Sequence, residues 1–236
     1  MRLVTIIPAH NEAASIAHVV KEVKNALPES AVLVIDDGST DSTASEAQLV
    51  GAQVLKLPHN LGIGGAVQAG YRWATVNDFD VVLRLDGDGQ HDPAEGPALI
   101  QPILDGEADV TIGSRFVLDQ TDQHRPPFFR RVGIAVFSKL VSLLVKASVS
   151  DTTSGYRCVT KEVAQYSALY HPHDFPEVES IVHYHRAGFR ILEVPVLMRD
   201  RLHGTSTING LKSYYYAFKV LLALGLLSIE DQEDRR

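Results

Sequence analysis

The chain has 236 residues, 45% of them hydrophobic and 22% charged, with a formal net charge of −7. That size supports one large domain, or one domain with an appendage, around a substantial core, and the acid excess argues against a nucleic-acid partner. Cys158 is the sole cysteine, which excludes an internal disulfide and fits a reducing compartment; residues 3–8 are too short and too β-branched for the apolar core of a signal peptide.

Residues 3–7 (Leu-Val-Thr-Ile-Ile) read as a buried strand. Asn11 is positioned to cap a following helix, in which Ile16, Val19, Val20, Val23 and Leu27 fall at helical spacing. Residues 31–35 form the next strand, followed by a turn rich in capping residues and a short helix to about residue 50. A strand over 53–57 leads to a glycine-rich helix start at 61–66, with the helix running to about 76. Strand 81–85 follows, then helix 93–104 and strand 109–112. Strands alternating with helices in this way imply a doubly wound, mostly parallel α/β sheet with flanking helices. Beyond it, residues 132–149 read as an amphipathic helix, 177–186 as a helix, and 189–198 as a strand interrupted by Pro195 and therefore near a sheet edge. Residues 212–228 are strongly apolar but far short of the ~20 residues that span a bilayer. Two readings remain open for them, an amphipathic helix on a membrane or a helix against the core. The division expected is residues 1–207 as the α/β domain and 208–236 as this helix with a short charged tail.

Charge is unevenly distributed. Residues 123–149 contain no acid but carry Arg125, Arg130, Arg131, Lys139 and Lys146, and residues 201–229 are again free of acid. Basic segments that also hold long apolar runs have the composition of a surface meeting anionic lipid.

Four strand ends should deliver loops to the carboxyl edge of the sheet, where open α/β folds bind ligands. They are Pro8-Ala9-His10-Asn11-Glu12, Asp36-Asp37-Gly38-Ser39, residues 58–65, and Asp86-Gly87-Asp88-Gly89-Gln90. Alone, the last is a solvated Asp/Gly turn or a site where two hard carboxylates, with Gln90 as a neutral third ligand, hold Mg²⁺ or Mn²⁺ on a phosphorylated substrate. Acids recurring at successive strand ends favour the second reading, because clustered like charges need a cation or a donor-rich ligand. A nucleotide with its divalent ion supplies both.

These motifs, with Gly113-Ser114-Arg115-Phe116 and Asp151-Thr152-Thr153-Ser154-Gly155-Tyr156-Arg157, resemble family-2 glycosyltransferases of the GT-A fold, and within them the dolichyl- or polyprenyl-phosphate mannosyl- and glucosyltransferase branch. The resemblance runs from about residue 3 to 206. It implies that Pro8, Ala9, Glu12 and Asp37, with Asp36 behind, hold the nucleoside, and that Asp86, Asp88 and Gln90 hold the metal on the diphosphate, which Arg201 and Ser206 also contact. Arg115, Arg130 and Arg131 are implied for the acceptor phosphate, with a lipid-facing basic patch as the alternative. Asp88 through the metal, and Asp151 as the acid nearest the sugar, are the expected catalytic residues. Asp151 also reads as a turn residue, and Glu177 and Glu179 stand where related branches carry an acidic pair. His10 replaces an aromatic residue usual in the first loop.

Competing folds fail in detail. Gly62, Gly64 and Gly65 would need a glycine at Val67 for a dinucleotide fingerprint, and His91 occupies the glycine position that a calcium loop requires. The expected function is hexose transfer from a GDP- or UDP-sugar to a polyprenyl phosphate, by a protein peripheral to the cytoplasmic face of the membrane, with a small membrane protein as a candidate partner. The alternatives are transfer to a polysaccharide or other lipid-linked hydroxyl, and a non-catalytic relative that binds a nucleotide sugar.

Overall fold

The structure is a computed structural model that describes residues 1–115, 142 and 149–199. The expected helices over 132–149 and 212–228, the boundary at 207, and Arg130, Arg131, Arg201 and Ser206 lie outside the described residues.

Seven strands form one sheet: β1 (Leu3–Ala9), β2 (Ser30–Asp36), β3 (Gln53–Lys56), β4 (Val81–Arg84), β5 (Val110–Ser114), β6 (Arg157–Thr160) and β7 (Ile191–Pro195), in the order β3-β2-β1-β4-β6-β5-β7. All neighbours run parallel except β6, which is antiparallel to both β4 and β5. β7 closes one edge, as the proline at its end requires, since Pro195 has no N–H to give to a further strand.

Alternation along the strands divides the core into two layers. Val4, Ile6, Leu33, Ile35, Val82, Val110, Ile112 and Val159 face one side. There they meet α3 (Gly62–Val76), α5 (Lys161–Tyr170) and α6 (Pro176–Arg186) through Val67, Tyr71, Val163 and Ile181. Leu3, Ile7, Val32, Val34, Leu83 and Leu85 face the other. They meet α1 (Ile16–Ala26), α2 (Thr43–Leu49) and α4 (Gly96–Leu104) through Val19, Val23, Ala47 and Leu99. Burial on both faces explains why the strands read as continuous apolar runs rather than alternating ones.

Two local expectations are corrected. Asn11 does not cap α1: its φ of 55° sets it in the left-handed region, Ser15 precedes the helix, and the Asn11 side chain turns to the second loop. The helix expected over 93–104 is split, with one 3-10 turn (Pro93–Glu95) capped by the Asp92 side chain before α4 begins. None of the helices among the described residues is long and apolar enough to cross a membrane.

His171, just past α5, is buried edge-on to Tyr71 at a centroid distance of 5.5 Å, and neither ring nitrogen has a hydrogen-bond partner among the described residues. Burial, with the charges of Arg84 and Arg157 nearby, holds its pKa well below the ordinary 6.5. The unfolded chain therefore takes up this proton first, so the stability linked to His171 is complete above pH 6.5 and is lost as pH falls toward the folded pKa. Urea unfolding midpoints measured against pH should fall below that point, and a His171→Phe variant should show a shallower acid decline.

Candidate active site

The site is built at the carboxyl ends of β1, β2 and β4. Asp37 donates its N–H to the Ala9 carbonyl, and its carboxylate accepts the Leu61 N–H at 2.7 Å, so the first, second and third loops meet at one residue. Asp36 turns its carboxylate back to the Ser39 N–H at 3.0 Å, which stiffens the turn behind Asp37. Both aspartates are buried.

The Asp86–Gln90 loop is pinned from the same side. The Ser15 hydroxyl lies 2.8 Å from both the Gly87 carbonyl and Glu12 Oε2, so one proton ties the first loop to the fourth. Gly87 fits closely here, since a Cβ would sit 3.3 Å from the Pro8 carbonyl and from Ala9 Cβ. Asp88 caps the Gln90 N–H through one carboxylate oxygen, and the Asp86 N–H donates to His91 Nδ1 at 3.0 Å. The His91 ring stacks on Tyr156, whose hydroxyl donates to the Asp92 carbonyl. Burial lowers the His91 pKa, which matches a ring nitrogen that must accept.

Beneath this loop lies a feature that the sequence reading absorbed into an apolar run. Arg84, 1% exposed, is the direct cross-strand partner of Arg157, also 1% exposed. Arg84 donates to Glu177 Oε1 at 2.7 Å and reaches Asp86 Oδ1 at 3.5 Å; Arg157 donates to the Ser154 carbonyl and to the Ser180 hydroxyl. Burial opposes both charges, and the carboxylates of Glu177 and Asp86 outweigh it for Arg84, whose pKa is raised; Arg157, with less compensation, is lowered. Gly155 fits where a Cβ would lie 3.0 Å from the Arg84 guanidinium and 3.1 Å from the Asp86 carboxylate, which brings the 151–157 motif against the Asp-x-Asp loop.

Asp151 is fully buried and receives Arg115 Nε at 2.8 Å and Nη2 at 2.9 Å, with the Thr153 hydroxyl at 3.1 Å. Burial alone would raise its pKa, but the hydrogen bonds and charge of Arg115 hold it below the usual carboxylate range. Glu193 on β7, another residue the sequence did not single out, accepts from the Ser150 and Asp151 N–H groups and fixes this loop to the sheet edge. Arg199 donates its N–H to the Gln90 carbonyl, so the chain before Arg201 runs beside the Asp-x-Asp loop.

Pro8, Ala9, Glu12, Asp36, Asp37, Asp86, Asp88 and Gln90 are thus brought to one sheet edge, whereas Arg115 and Asp151 are paired with each other. Among the described residues, no three His, Cys, Asp or Glu side chains gather into a metal cluster. Asp86 and Asp88 bring two carboxylates and Gln90 an amide to this loop, hard oxygen donors of the type that a small divalent cation takes.

Residues 4–166 match the sequence model of Glycosyl transferase family 2. The chain belongs to this family and is a glycosyltransferase. It is 32% identical over 226 residues to an undecaprenyl-phosphate mannosyltransferase of Micrococcus luteus, covering 89% of this chain and 88% of that protein. It is 31% identical over 229 residues to a polyprenol monophosphomannose synthase of Mycolicibacterium smegmatis, covering 93% and 85%. A crystal structure of glucosyl-3-phosphoglycerate synthase from Mycobacterium tuberculosis with Mn²⁺ and UDP superposes with a TM-score of 0.71 at 21% identity, over 96% of this chain and 79% of that one. The fold is GT-A.

The buried arginine pair generates a stability prediction. Glu177→Gln should destabilise by about 3–5 kcal/mol, because it leaves the buried Arg84 charge only the 3.5 Å contact to Asp86, and Arg84→Met should cost less, because the Glu177 that it strands is partly exposed. The double variant should cost less than the sum, and a urea double-mutant cycle measures the difference.

Proposed function

We propose that this glycosyltransferase moves a hexose from a GDP- or UDP-sugar to a polyprenyl phosphate at the cytoplasmic face of a membrane, with inversion at the sugar carbon. The observation that carries this reading is the convergence of Asp86, Asp88 and Gln90 with the Ala9 and Asp37 loops at one sheet edge. Support for the acceptor comes from the mannosyltransferase relatives, both aligned along most of their length.

Asp37 and Glu12 are suited to accept hydrogen bonds from the nucleoside, and Pro8 and Ala9 form the wall against which it lies. Asp86, Asp88 and Gln90 would hold Mg²⁺ or Mn²⁺, which supplies Lewis-acid stabilisation to the departing diphosphate. Arg201 and Ser206 are assigned to the same diphosphate, and Arg115, Arg130 and Arg131 to the acceptor side. In this scheme Asp151 sets the orientation of Arg115, and its lowered pKa keeps it an ion-pair partner rather than a base. A phosphate monoester is largely ionised at neutral pH, with a second pKa of about 6, so its oxygen attacks C1 without a base. The bond from C1 to the diphosphate oxygen breaks, and the nucleoside diphosphate leaves with the electron pair.

Release of nucleoside diphosphate from a panel of nucleotide sugars, with Mn²⁺ and with or without undecaprenyl phosphate, tests the assignment. Turnover should require the lipid phosphate. Asp88→Ala should lower kcat about a thousandfold, the rate equivalent of the several kcal/mol that a bound Lewis acid contributes. Full turnover by that variant would remove the metal assignment.

A further inference from the structure

His10 and Asn11 lie at the mouth of the nucleoside loops, and both are exposed. Their hydrogen bonds nevertheless admit one arrangement of protons. The Thr40 backbone N–H can only donate, and it lies 2.9 Å from Asn11 Oδ1. That fixes the amide orientation and turns Asn11 Nδ2 toward His10 Nε2 at 3.2 Å. The amide nitrogen donates, so Nε2 must present its lone pair. His10 Nδ1 then carries the hydrogen and donates it to the Asp37 carbonyl at 2.8 Å. The Asp37 N–H in turn donates to the Ala9 carbonyl.

Donors thus run in one direction from Thr40 through Asn11, His10 and Asp37 to Ala9. The relay crosses between the β1 and β2 loops, and through the Asp37 carboxylate it reaches Leu61 at the start of α3. Asn11 holds its place at a φ of 55°, a region that Asn tolerates better than most residues. Its N–H is held by the Ser39 hydroxyl at 2.9 Å.

The geometry points to His10, in its neutral Nδ1–H tautomer, as a positioning residue that holds Ala9 and Asp37 at the spacing the nucleoside requires. The inference rests on the nucleotide-sugar reading of these loops. His10 itself need not touch the sugar or the metal; it fixes the distance between two groups that do the binding.

Three variants and one spectrum test this. His10→Phe keeps a ring and removes both hydrogen bonds, Asn11→Gly keeps the left-handed backbone and removes the amide, and His10→Asn keeps a donor in the Nδ1 position. Calorimetric titration with GDP and UDP in the presence of Mn²⁺ should show affinity falling about tenfold for His10→Phe and for Asn11→Gly, as the spacing of Ala9 and Asp37 loosens. The double variant should be no weaker than either single one, because each breaks the same relay. His10→Asn should recover part of the loss, and KM for the nucleotide sugar should rise with kcat little changed. Nitrogen-15 NMR of the wild type should show an unprotonated Nε2 and a protonated Nδ1 at His10. An Nε2–H tautomer, or variants that bind as the wild type does while remaining folded, would overturn the proposal. If the wild type bound neither nucleotide, the functional reading itself would fall, and the positioning role with it.

Discussion

Two guanidinium groups buried in register across β4 and β6 set the terms for everything above them. Like charges directly opposite one another in an antiparallel pair are destabilising, and Arg84 and Arg157 face each other in the core layer lined by α3, α5 and α6. Their coexistence demands an anion and several acceptors at a fixed place, and the first turn of α6 provides them through Glu177 and Ser180. That demand fixes how α6 docks, where the 151–157 loop crosses, and which carboxylate oxygen of Asp86 faces inward. Buried ion pairs contribute little net stability compared with apolar residues of similar size. Here the arrangement buys position.

The same economy governs the upper layer of the site. No single loop is rigid by its own composition; each is fixed by a hydrogen bond to the next. Ser15 joins the first loop to the fourth, Asp37 joins the first three, and Tyr156 and His91 join the fourth to the segment that follows β5. Asp151 and Glu193 do the corresponding work at the far edge, where charged groups are spent on holding backbone and a guanidinium in place. Cross-bracing of this kind orients polar groups before any ligand binds.

Most of the first half of the fold was legible because its signals are local. Strands buried on both faces, a capping-rich turn and helical spacing each declare themselves within a few residues, and β1 to β5 fall within a residue or two of their expected bounds. What escaped depends on partners distant in sequence. β6 has four residues headed by an arginine, with no apolar run to announce it, and it is a strand because β4 and β5 leave a gap of that width. α5 has a weakly amphipathic sequence and forms against α3. Arg84 passes for one more residue of an apolar strand until Glu177, 93 residues later, is placed beside it. Asn11 reads as the cap of α1, but its neighbour across the loop, not the helix after it, takes its side chain. At the site, the residue types at the strand ends were readable from spacing; which of them face a ligand and which face each other was not.

The position of β6 also orders events during synthesis. Among the described residues β5 pairs with β6 and β7, both of which lie later in the chain. As the nascent protein emerges, β1 to β4 can assemble as a parallel half, leaving β4 with an open edge and β5 with nowhere to go. The last strand of the seam arrives with residues 157–160, and the segment immediately before it carries Asp151 and Gly155 into the site. Until residues 157–160 emerge, β4 keeps an unpaired edge, and that interval is when the growing chain is most open to misassociation; β7 and the Glu193 contact to the Asp151 loop are added only afterwards.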